Sequence, residues 1–253
     1  MPAVPWFLVH DLAAGRLAVW ATAWLTGRSS YDDALDALAD DNAHRVVGLP
    51  GTTEAVPLGW ALSALRGLGE RRLRLVLPVP GDLRGLPPVT GLGALALESG
   101  QAAVGERVAL VPEQLGPEAV SWTAFDLTGL PPAPPPAEDT LRRVSGELDL
   151  AVGDAARTLA KLDLARWNPE VPALLAGLAR KVPAVGLPDD HDQLALSVLG
   201  RAERLRQVLD LAMADAPGAA VTNAQALARD DALRPLATAV REATVAAYNW
   251  VPR

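Results

Sequence analysis

Between residues 129 and 139 the chain reads GLPPAPPPAED, with prolines at 131, 132, 134, 135 and 136. Proline has no backbone N–H and a fixed φ, so this run fits neither a helix interior nor a central strand and favours a stiff extended segment. It divides the chain into residues 1–130, a Pro-rich linker at 131–137, and residues 138–253. Before the run, strand-like and helix-like apolar stretches alternate; after it, every periodic stretch is helical. The expected class is α+β: an N-terminal mixed α/β sheet domain with a βαβ unit, then a C-terminal all-α helical bundle.

In the first part, Asp11 is placed to cap a helix with Leu12, Arg16, Trp20 and Trp24 at four-residue steps and Gly27 as its stop. Ser30 and Asp33 have capping-box spacing and open a second helix, ended near Asn42. HRVVGL then reads as a short buried strand, Pro57 to Leu68 as a helix, and RRLRLVLPV as a second strand. Two strands joined through a helix predict a parallel, right-handed βαβ unit. PGDLRGLPPVTGLG is too rich in Pro and Gly for an element interior. Ala102 to Val111 and Val120 to Leu127 are expected to pair antiparallel, with Val120, Trp122 and Ala124 on one face and Thr123, Phe125 and Leu127 on the other.

Beyond the prolines, Leu141, Val144, Leu148, Val152, Leu159 and Leu162 draw one apolar stripe. Asn168 and Pro169 mark a second helix start. Asp190 with Gln193, and Thr222 with Gln225, mark the third and fourth, the last running or restarting near Pro235. Four amphipathic helices suggest a bundle.

Half of the 253 residues are hydrophobic, enough for real cores, and the formal charge is −7. Such a balance argues against a nucleic-acid partner, and the arginines at 71, 72 and 74 and at 201, 204 and 206 read as solvated faces. The apolar start, MPAVPWFLVHDLAAGRLAVWATAWL, has no positive leading region and is interrupted by His10, Asp11 and Arg16, so neither a signal peptide nor a membrane span is expected. Cysteine is absent, which excludes thiolate chemistry and suits a reducing, cytoplasmic setting.

For chemistry, the loop GLPGTTE after the first strand lacks both the lysine of a P-loop and the three glycines of a dinucleotide fingerprint. Gly51, Thr52, Thr53 and Glu54 nevertheless sit between a strand and a helix, where exposed amides attract anions. Gly51 also has a plain role in turning the chain, and Glu54 would itself compete with an anion. Asp82 and Arg84 lie in the loop after the second strand. If the two strands are parallel, all six residues share the carboxyl edge of the sheet, the usual ligand cleft of open α/β folds. His10 and His44 stand alone, and the run DDHD at 189–192 is better explained as a helix cap than as a metal site. No nucleophile elbow occurs, and Glu98 and Glu113 could form a carboxylate pair, but sequence distance alone does not establish one and they stay unassigned.

No cofactor or metal is therefore expected. The leading reading is a non-catalytic interaction or self-assembling module of a bacterial cytoplasm, a homodimer formed through the helical half. The alternative is a small-molecule enzyme using the strand-end cleft for an anionic or polar ligand.

Overall fold

The computed structural model describes residues 12–39, 43–116, 118–131, 140–161, 186–214 and 223–250. Two compact units are present: Met1–Pro135 with Gly186–His191, and Pro136–Val185 with Asp192–Pro252. The expectations for His10, Asp11, Asn42, Pro132 to Ala137, the helix start at Asn168 and Pro169, and the Thr222 cap lie outside the described residues.

In the first unit α1 (Ala13–Leu25), α2 (Tyr31–Ala39), β1 (Ala43–Val47), β2 (Val56–Pro57), α3 (Leu58–Gly67), β3 (Arg74–Val76), α4 (Leu92–Ser99), β4 (Ala102–Val104), β5 (Val108–Gly116) and β6 (Ala119–Asp126) follow one another. Helix α1 is buried on nearly every side, as an apolar sequence all round a helix requires. It ends where Gly27 N–H donates to Trp24 O and Arg28 N–H to Ala23 O, the paired bonds of a glycine-stopped helix. The Thr22 hydroxyl accepts from Leu73 N–H (3.0 Å) and donates to Leu73 O (3.2 Å), pinning α1 beside β3. Ser30 caps α2 by accepting from Asp33 N–H at 3.0 Å, as its spacing implied.

The six strands form one mixed sheet in the order β2-β1-β6-β5-β4-β3. β5 and β6 pair antiparallel as expected, and β1 pairs parallel with β6. The expected βαβ unit is not formed. β1 and β3 lie at separate places in the sheet, and the chain of pairings β1–β6–β5–β4–β3, one parallel and three antiparallel, makes their directions opposite. The physical reason is the hairpins: β4 and β5 insert between β3 and β6, and local antiparallel pairing takes the place of a crossover. The run Ala102 to Val111 is accordingly two strands, broken at Gly105, where Gly105 N–H donates to Val108 O at 2.9 Å.

Register defines the two faces. Leu75, Ala103, Leu110 and Ala124 form one row across the sheet, and Pro112, Trp122 and Val46 the next. All are buried, on the face against which α1 packs. The other face carries Val76, Ala102, Val104, Ala109, Val111 and Leu127 beneath Leu92 and Ala96 of α4. Helix α4 was hidden in the Gly/Pro-rich stretch, being eight residues long and closed at both ends by left-handed glycines, Gly91 and Gly100.

The described part of the second unit is helical: α5 (Thr140–Lys161), α6 (Gln193–Ala214) and α7 (Asn223–Tyr248). Helix α7 packs against both α5 and α6. Val144 and Leu148 of the expected stripe are buried, together with Val198, Leu209, Leu236 and Val240. The cap of α6 is Asp192, whose Oδ1 accepts from Ala195 N–H at 3.0 Å, rather than Asp190. Pro235 lies inside α7 and does not restart it.

Candidate functional site

The loop after β1 turns the chain rather than presenting a helix end. Gly51 has φ +86°, Thr52 N–H donates to Leu49 O (3.1 Å), and Glu54 N–H donates to the Thr52 hydroxyl (3.3 Å). The chain then runs through β2, which pairs back onto β1, before α3 begins at Leu58. Thr52, Thr53 and Glu54 thus stand upstream of a strand and not at the amides of the helix.

The loop after β3 closes on itself. Val79 and Asp82 exchange backbone hydrogen bonds of 3.0 and 2.8 Å around Gly81. The Asp82 carboxylate accepts from the Arg84 backbone N–H (3.1 Å), Nε (2.8 Å) and Nη2 (2.8 Å). The structure therefore brings Asp82 and Arg84 together, and Thr52 and Glu54 together. It does not bring the two groups to one edge. Antiparallel β1 and β3 release their loops at opposite ends of the sheet, which removes the geometric basis for a shared cleft.

The other sequence candidates are absorbed by the fold. His44 Nδ1 accepts from the Trp122 indole at 3.0 Å. Asp190 pairs with Arg28 at 2.7 Å. Among the described residues no group of His, Asp or Glu is placed to hold a metal ion. Arg206 is buried and paired with Glu203, and Arg201 pairs with Asp149. Arg72 and Arg74 are half-buried, and that burial lowers the pKa of both guanidinium groups. These arginines are not a solvated basic row.

Glu70, which sequence reasoning passed over, is a buried carboxylate with a structural task. Oε1 accepts from Glu106 N–H (2.7 Å), and Oε2 accepts from Arg107 (2.8 Å) and Val108 (3.2 Å), so it clamps the β4–β5 turn. A Cβ at Gly105 would run into the Glu70 carboxylate, so a larger residue there would push that carboxylate off its three amides. Burial raises the Glu70 pKa above the ordinary glutamate range, outweighing the three amides that oppose the shift.

Among the described residues, one half of one sheet face is more open to solvent than the other. The α4 cluster packs on strands β3 to β5 and on Phe125 of β6, and the described residues of the same face toward β1 are less buried. There Arg45 and Glu113 are exposed, and Val47, Ser121 and Thr123 are half-buried. Leu115, at the bulge ending β5, is 63% exposed. The sequence signal was the alternation in β6: Val120, Trp122 and Ala124 on the covered face, Ser121 and Thr123 on the other, the pattern of a strand wetted on one side.

A two-unit α+β protein, with a mixed sheet in one unit and helices in the other, is what these observations define. Residues 14–140 match the N-terminal domain of Rv1486c-like protein and residues 142–245 its C-terminal domain, so the chain belongs to the Rv1486c-like family. It is 31% identical to the uncharacterized protein Rv1486c of Mycobacterium tuberculosis, over 93% of this chain and 95% of that one. The uncharacterized protein ML1804 of Mycobacterium leprae is 28% identical over the same shares. No solved structure matches. Among the described residues no helix is long and apolar enough to cross a membrane.

Proposed function

We propose that this protein is a non-catalytic interaction module that assembles with a second copy of itself. The observation that carries this reading is the less covered half of the sheet face, where Arg45 and Glu113 are exposed and Val47, Ser121 and Thr123 are half-buried. The disposition of charge supports it. The buried carboxylate holds a turn, Asp82 is taken up by Arg84, and the buried Arg206 is paired with Glu203. Catalysis asks for groups held ready for a substrate, whereas these are spent on the fold. The helical half, where the sequence placed dimerisation, presents Leu150 at 70% exposure but turns its stripe inward, so the sheet face is the better surface. The cysteine-free composition supports a cytoplasmic setting.

Light scattering on the full chain at low salt, over tens to hundreds of micromolar, tests the reading. A mass rising from monomer toward dimer is expected. A monomer throughout that range removes self-assembly as the function.

A further inference from the structure

Building on the self-assembly reading, we propose that the less covered half-sheet pairs with the same face of a second copy about a two-fold axis running along β6. Register places Arg45, Ser121 and Glu113 side by side on one face, with β6 in the middle. Strands about 4.8 Å apart put the backbones of Arg45 and Glu113 roughly 10 Å from each other, with Ser121 between them. Among the described residues neither has an ion pair or a side-chain hydrogen bond.

The symmetry does the rest. An axis lying between two stacked sheets and parallel to β6 exchanges left and right, so Arg45 of each copy comes over Glu113 of the other. An axis across the strands would instead set Arg45 over Arg45 and Glu113 over Glu113. Charge selects the first arrangement and rejects the second. Between the two pairs lie Ser121, Thr123 and Val47, short side chains that permit the spacing of about 10 Å at which sheets stack. Three strands by some six residues give a patch of roughly 300 Å² per copy, well below the ~800 Å² of a standard interface. The dimer is therefore weak and sensitive to salt, which screens its charge pairs.

The test uses two full-length variants, Arg45→Glu and Glu113→Arg, in sedimentation equilibrium at low salt. Both positions are exposed, so unchanged circular dichroism and melting verify each fold. Alone, each variant turns two attractive pairs into two repulsive ones and should weaken self-association at least about tenfold. Mixed in equal amounts, the two should form a heterodimer about as readily as the wild type pairs with itself, because every Glu then meets an Arg. A wild-type dimer that both variants reproduce unchanged overturns this face while leaving self-assembly standing. A mixture no better than either variant alone also overturns it. A monomeric wild type overturns both.

Discussion

Glu70 is 3% exposed and accepts three backbone N–H groups, so its removal leaves three donors at the β4–β5 turn without an acceptor. Glu70→Ala should destabilise the first unit by about 2–3 kcal/mol, measured by urea unfolding. The pH dependence has a definite sign. Burial raises the folded pKa above that of the unfolded chain, so the folded form binds the proton more readily. The group's contribution is fully present below the ordinary glutamate range and is lost as pH rises through the raised value. The gap between wild type and Glu70→Ala should therefore be widest in acid and narrow toward neutrality. A gap that widens with pH would mean that the three amides dominate the burial. Nothing in the local sequence GERR announced this role, because the turn that Glu70 holds lies some 36 residues further on.

At the scale of elements, what was legible was what short-range periodicity encodes. The helices α1, α2 and α3, the Ser30 cap, the strand β1 and the β5–β6 pairing all follow from spacing and capping residues, although β1 buries only Val46 rather than lying buried as expected. Strand order did not follow, because β1 and β3 are separated in the sheet by partners that come later in the chain. With it went the shared cleft, since loop residues such as Thr52 and Arg84 take their placement from topology and not from their own neighbours. Helix α7 offers a test of a local rule. Pro235 lacks the N–H for an i to i−4 bond and its ring crowds the carbonyl of Asp231, yet the helix runs on to Tyr248. Pro235→Ala should raise the urea midpoint of helical signal, by about 1 kcal/mol or more in stability. A lower midpoint would show that packing against α5 and α6 requires the irregularity at this position.

At the scale of the molecule, the abrupt change of composition at the prolines was visible in the sequence, whereas the placement of Gly186–His191 in the first unit was not. That segment has no periodicity of its own, and its contacts span more than 160 residues. The Trp20 indole donates to Gly186 O at 2.7 Å, Arg28 pairs with Asp190 at 2.7 Å, and His191 is buried. Cutting the chain after residue 137 would keep every strand and every helix of the first unit but remove these partners. A lost hydrogen bond contributes about 1 kcal/mol and an exposed ion pair less, so the fragment 1–137 should fold with a stability lower by about 1–2 kcal/mol. In a unit of this size that is a fall of roughly 5 °C in the tryptophan-monitored melt, relative to the same transition in the full chain. Supplying the segment 186–191 as a free peptide should recover little, because its few contacts cannot offset the entropy of ordering it from solution. If fragment and full chain melt together, the segment rests on the first unit without stabilising it, and the sheet with its helices is self-sufficient.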